Sequence, residues 1–251
     1  MEPDKIELII ESILFRILKN RLDLCADSPI RERGIIMKEE MLTIPLERNP
    51  SISVNMIPGH YATSHSHRTH YLAVNHLKTS ALLAREVARE LASPYLSMFP
   101  VDTIVCMEET EVIGAYLAAE LLKPGLSAKN VGRDIKVVTP ILNINKKLTF
   151  QTDTLKQINN RNIILLLSSV TGGSTLRAAL EALSYYRGKL QGISALFTAY
   201  PDRQEQKINS LFTSENLPGY KLYTPAQCPL CKAGQKIDAI IIRDGYMEAN
   251  Y

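Results

Sequence analysis

An α/β fold, with a mostly parallel sheet flanked by helices, is what this sequence predicts, and three observations predict it. Arg161 to Leu183 reads as strand, glycine-bearing turn and helix in one short run. Ile163 to Leu167 is the continuous apolar block of a strand buried on both faces, and Leu176, Ala179, Leu180 and Leu183 then recur at helical spacing. On both sides of this run, apolar blocks of strand length alternate with one-faced helical patterns, the signature of parallel strands joined by crossover helices.

Taken in order, Asp4 to Leu24 carries apolar residues three and four apart and reads as an amphipathic helix packed on the main body. Residues 25 to 50, with Pro29, Gly34, Pro45 and Pro50, read as loops with one strand at most. The stretch PGHYATSHSHRTHYLAVNH holds all five histidines, His60, His65, His67, His70 and His76. Their spacing fits neither a helical two-histidine motif nor a finger, so the expectation is a polar, partly exposed site segment with no metal assigned. Ser80 to Ala92 reads as a helix, Val101 to Met107 as a strand, Glu111 to Leu122 as a helix, Asp134 to Leu142 as a strand, and Gly192 to Tyr200 as a further strand. Tyr220 to Thr224 and Ile237 to Arg243 read as strands outside the alternation, bracketing a Cys-Pro-Leu-Cys turn. Three segments result: 1–58, a helix and hood segment; 59–204, the α/β core; and 205–251, a C-terminal hood segment.

Composition narrows the function classes. A net charge of +3 over 251 residues gives no nucleic-acid signature, and no apolar run has the length of a membrane span. Asp4, Lys5, Glu7 and Glu11 interrupt the N-terminal apolar pattern, unlike a secretory signal, so a cytoplasmic protein is expected. Four cysteines give no disulfide framework. Cys228 and Cys231 would bind zinc only with two further ligands, for which the histidine segment is the sole supply.

Thr171, Gly172, Gly173, Ser174 and Thr175 join the central strand to its helix. Glycines let the backbone approach a ligand, and the first turn of the helix offers free N–H groups and the positive dipole end, so this turn is a candidate phosphate cradle. It would equally serve as a plain strand-to-helix connection.

In the order of its elements and motifs, the chain from about His60 to Asp238 resembles the type I phosphoribosyltransferases, and among them the orotate-specific branch. Thr63–Tyr71, TSHSHRTHY, is similar to the family's TSGRHSDTY, with its glycine replaced by His65. Val101–Tyr116 matches the strand and pyrophosphate loop in position, Lys146–Gln151 the mobile loop resembling GKMTLRRG, and Ala226–Gly234 a tail resembling EECPLCKKGIP. The resemblance implies a transferase making a nucleotide from a base and phosphoribosyl diphosphate with Mg2+, in pyrimidine synthesis for the orotate branch. It also implies a homodimer, a catalytic role for Lys147, and base or ring contacts from His67, Arg68 and Tyr71.

Three departures fall on the chemistry. The family ends its central strand with two carboxylates that hold the ribose hydroxyls; here Leu167 and Ser168, or Ser168 and Ser169, stand there. A serine can bond a ribose hydroxyl but brings no negative charge to an oxocarbenium-like transition state. The pyrophosphate loop reads Cys106-Met107-Glu108-Glu109-Thr110-Glu111, and each carboxylate would oppose a diphosphate by about 4 kcal/mol per charge pair at 4 Å and an effective dielectric near 20. Gln151 replaces a basic residue in the mobile loop. The expectation is therefore a protein that binds a 5′-phosphorylated ribose ligand, a nucleotide or sugar phosphate, with weak or no transferase activity. Glu108 and Glu109 would line its pocket, and Ser168 and Ser169 would contact the ribose. The alternatives are an active orotate phosphoribosyltransferase, or a ribosyl hydrolase using Glu108, Glu109 and Glu111.

Overall fold

The computed structural model describes residues 41–97, 99–125, 129–144, 147–200, 207–242 and 245–249. The helix read over Asp4–Leu24 and Lys146 lie outside them. Among the described residues the strands are β1 (Leu42–Leu46), β2 (Asn49–Ala62), β3 (His67–Ala73), β4 (Thr103–Cys106), β5 (Lys136–Val138), β6 (Ile141–Leu142), β7 (Leu148–Thr149), β8 (Asn162–Val170), β9 (Lys189–Thr198), β10 (Ile208–Thr213), β11 (Leu222–Tyr223), β12 (Ala239–Ile242) and β13 (Gly245–Glu248). The helices are α1 (Asn75–Thr79), α2 (Ala81–Ala92), α3 (Glu111–Leu122), α4 (Ser174–Tyr185) and α5 (Pro229–Lys232).

The expected parallel sheet is present, in the order β10-β9-β8-β4-β5 with every neighbouring pair parallel. Its central strand β8 is apolar on both faces because helices and the second sheet cover both. Ile104, Cys106, Ile164 and Leu166 pack on one side with the buried faces of α2 and α3, while Val105, Ile163, Leu165 and Leu167 pack on the other with Leu176, Ala179 and Leu183 of α4. That two-residue alternation within a wholly apolar run is the strand period. Ser80 caps α2, its side chain accepting from the Leu83 N–H at 3.4 Å.

The second sheet runs β11-β3-β2-β12-β13, with β1 also paired to β2. It draws on both ends of the described chain. The 14-residue β2 runs through position 58, and β10 joins the parallel sheet beside β9. Much of the histidine segment lies on the facing strands β2 and β3, with His60 and His67 buried, His70 and His76 half-buried and His65 exposed. The single strand expected over Asp134–Leu142 is two short ones, β5 and β6, since Pro140 lies between them.

Between α2 and β9, Tyr95 is held in place by a 2.8 Å bond between its hydroxyl and Ser194 Oγ, with its ring over Gly192. A Cβ at Gly192 would lie 2.4 Å from that ring. Gly192→Ala is therefore expected to lower unfolding free energy by about 1–3 kcal/mol, the usual cost of overpacking, in urea titration monitored by circular dichroism.

Candidate active-site cleft and a histidine–cysteine cluster

The C-terminal ends of β4 and β8 open onto a small cleft lined by Arg68, Tyr71, Glu108, Ser168, Ser169 and Phe197, among others. Five residues singled out from the sequence thus meet in one place. The second sheet supplies Arg68 and Tyr71 from β3, β8 supplies Ser168 and Ser169, and the loop after β4 supplies Glu108.

Glu108 sets the character of this cleft. β4 ends at Cys106, opposite Leu166, whereas β8 continues to Val170. The Met107 N–H still reaches the Leu166 carbonyl at 2.9 Å, and beyond it β8 has no strand partner on that side among the described residues. One carboxylate oxygen of Glu108 fills the gap, accepting from the backbone N–H groups of both Ser168 and Ser169 at 3.1 Å. To do so Glu108 and Glu109 take φ of 56° and 63°, a left-handed conformation that costs a non-glycine residue about 1 kcal/mol or more.

Lys78 compensates for that cost. It is only 2% exposed, and its ammonium donates to the Glu108 carbonyl at 3.0 Å. The sequence reading missed Lys78 because it sits in the short α1, in a stretch with no motif. The Thr110 hydroxyl donates to the Met107 and Leu166 carbonyls and ties the loop from its other end.

The three glutamates do not act as a set. Glu111 accepts from the Thr139 hydroxyl at 2.8 Å and Glu109 is exposed. Among the described residues no carboxylate belongs to a cluster able to share a metal.

The cradle has the backbone its glycines imply. Gly173 takes φ of 75° at the N-cap of α4, and no side chain of that residue caps the helix. A Cβ there would lie 2.4 Å from the Tyr200 ring, whereas one at Gly172 would meet nothing within 4 Å, so the space above Gly172 is open. The N–H groups of the first turn of α4 have no intrahelical acceptor and lie at the positive end of the helix dipole. Lys147 is exposed in the β6–β7 hairpin, bonded through its backbone to Asn143, and does not line the cleft.

Arg68 carries a second signal. It is 9% exposed, and its Nε has no hydrogen-bond partner among the described residues. A buried charged donor left unsatisfied costs about 1–3 kcal/mol or more. Such groups are rare unless a ligand completes them.

Next to Arg68 lies the feature to which the sequence assigned no metal. His60, His67, Cys228 and Cys231 come together, with their ligand-type atoms all within 4.8 Å of one another. His60 and His67 sit near the facing ends of β2 and β3, and the cysteines flank the first turn of α5. Burial, then the neighbouring His60, lower the His67 pKa below its usual value, so the ring is neutral at pH 7. The turn expected at Cys228–Cys231 is present and ends at Gly234, whose φ is 75°.

No protein-family model matches the chain, and no curated protein matches it. Among solved structures it is similar to the orotate phosphoribosyltransferase of Mycobacterium tuberculosis H37Rv, at 11% identity and TM-score 0.44 over 66% of this chain and 93% of that one. It is also similar to the UMP synthase of Leishmania donovani, at 15% identity and TM-score 0.44 over 67% of this chain and 33% of that chain. The adenine phosphoribosyltransferase of Trypanosoma brucei, in complex with AMP, pyrophosphate and ribose-5-phosphate, matches at 11% identity and TM-score 0.44 over 64% of this chain and 78% of that one.

Two substitutions separate ligand-directed from structural roles. Arg68→Met removes a buried charge with an unsatisfied donor and keeps most of the side chain's bulk. It should leave thermal stability unchanged or raised while weakening anion binding at least about tenfold, since a charge-assisted bond contributes about 1.5–3 kcal/mol. Gly173→Ala should instead cost about 1–3 kcal/mol of stability from the left-handed backbone and the Tyr200 overlap, and weaken phosphate binding as well.

Proposed function

We propose that the protein binds a 5′-phosphorylated ribose ligand, a nucleotide or sugar phosphate, in the cleft at the ends of β4 and β8, and has little or no phosphoribosyl transfer activity. The observation that carries this reading is the Glu108 carboxylate on the Ser168 and Ser169 amides. Those N–H groups are a natural anion seat, and the protein's own carboxylate occupies it. A diphosphate approaching the same loop meets a fixed negative charge where it would need donors.

The surroundings favour a single phosphate and a sugar. Arg68 supplies the cleft with a buried cation that has an open donor, and Gly172, Gly173 and the first turn of α4, which do not line the cleft themselves, follow three residues after Ser169 and would take the phosphate. The Ser168 and Ser169 hydroxyls stand at the strand end, where they can bond ribose hydroxyls but bring no charge to an oxocarbenium-like centre. Neither serine can replace the carboxylate chemistry of a transferase. A hydrolase built on the glutamates gains no support, because Glu108 and Glu111 are each committed to separate donors.

Isothermal titration with uridine or orotidine monophosphate, and separately with phosphoribosyl diphosphate and Mg2+, tests the proposal. Monophosphate binding with weak or no diphosphate binding is expected. Glu108→Gln keeps an acceptor but removes the charge, and should raise diphosphate affinity about tenfold or more. Pyrophosphate release on adding orotate, abolished by Lys147→Ala, would establish a working transferase and end the binding-only reading.

A further inference from the structure

His60, His67, Cys228 and Cys231 lie 160 or more residues apart in sequence between the two pairs, yet the fold places their nitrogens and sulfurs around one point. Zn2+ bound by two nitrogens at about 2.0–2.1 Å and two sulfurs at about 2.3 Å makes a tetrahedron with edges of roughly 3.3–3.8 Å. Here His60 Nε2 to His67 Nδ1 is 3.0 Å, Cys228 Sγ to His60 Nε2 is 3.5 Å, Cys231 Sγ to His60 Nε2 is 3.6 Å, and Cys231 Sγ to His67 Nδ1 is 3.2 Å.

Hydrogen bonding alone leaves this cluster unexplained. His60 Nδ1 faces the Gln235 and Lys236 carbonyls at 3.0 and 3.2 Å, and carbonyls only accept, so Nδ1 carries the proton and Nε2 the lone pair. That one lone pair is approached by His67 Nδ1 and by both sulfurs, three groups where one donor would suffice. A shared cation satisfies all of them at once. An Nδ1–H held by a backbone carbonyl with Nε2 on the metal is also the usual outer-sphere arrangement for a ligating histidine.

The surroundings are built to hold the site. The His60 N–H donates to Asp238 Oδ2, and the Asp238 N–H donates to the His60 carbonyl, each at 2.8 Å. Cys228 precedes the first turn of α5 and Cys231 lies three residues on, and the Lys232 N–H closes the turn on the Cys228 carbonyl at 3.2 Å. His60 and Cys228 are fully buried, whereas Cys231 is exposed and leaves a path for the ion.

We propose that His60, His67, Cys228 and Cys231 bind one Zn2+ as a closed, four-coordinate structural centre. With every position taken by protein, it has no open site for a catalytic water. The centre joins the C-terminal segment to the β2–β3 hairpin.

The test is metal analysis of the purified full chain by plasma mass spectrometry, followed by cobalt substitution. One zinc per chain is expected in the wild type and in Cys106→Ser, with zinc affinity falling at least about a hundredfold in Cys231→Ser and in His67→Ala. The cobalt-loaded protein should show tetrahedral visible bands with a thiolate charge-transfer band that weakens in Cys231→Ser. Chelation should lower the melting temperature by about 10 °C or more. If the variants do not fold, the wild-type metal content and cobalt spectrum decide the matter alone. Background zinc after dialysis against zinc salt, a different stoichiometric metal, or a Cys228–Cys231 disulfide in the reduced-prepared protein would each overturn the assignment.

Discussion

The end of the β4–β8 ladder is the constraint on which the rest of the site depends. A strand buried on both faces must satisfy every backbone polar group, and β8 outruns its neighbour. The chain solves this with a side chain, and the solution dictates what surrounds it. Glu108 must turn left-handed to reach the Ser168 and Ser169 amides, its carbonyl is then presented to Lys78, and that lysine must be buried to meet it. The loop that follows β4 is consequently a fixed part of the cleft wall.

The two sheets divide the work. The parallel sheet provides a rigid strand end and a helix N-terminus, both local to the run from Arg161 to Leu183. The second sheet brings Arg68 and Tyr71 across from residues about a hundred positions earlier. Its own integrity is non-local: β3 pairs with β2 on one side and β11 on the other, and β12 returns from the C-terminal end to lie beside β2. Arg68 follows directly on His67, so whatever fixes that histidine also fixes the backbone of the cleft's buried cation.

The sequence disclosed the parts of this arrangement that are written in short periods. Continuous apolar runs marked β4, β8 and β9, helical spacing marked α2, α3 and α4, and two glycines marked the turn above Gly172. Features created by distant segments were not legible. Nothing local distinguishes Glu108, which adopts a glycine-like backbone without being glycine, from the acids that ordinarily open a helix. Lys78 carried no motif. The strand character of the histidine segment was not legible, because polar residues hide strand periodicity and β2 contains Pro50, Pro58 and Gly59. Its two inward-facing imidazoles gain their meaning only from a cysteine turn that the chain delivers more than 160 residues later.

The seated carboxylate of Glu108 also makes the cleft its own first occupant. A group anchored within reach of its site acts as a tethered competitor, present at an effective concentration that does not dilute with the protein. Any incoming anion that needs those two amides must evict it, and the ligand's apparent affinity falls by the fraction of time the seat is vacant. Under the proposed reading, selectivity would come from occupancy as much as from shape. Small anions that leave the seat alone would bind at full strength, and those that need it would carry a penalty set inside the chain.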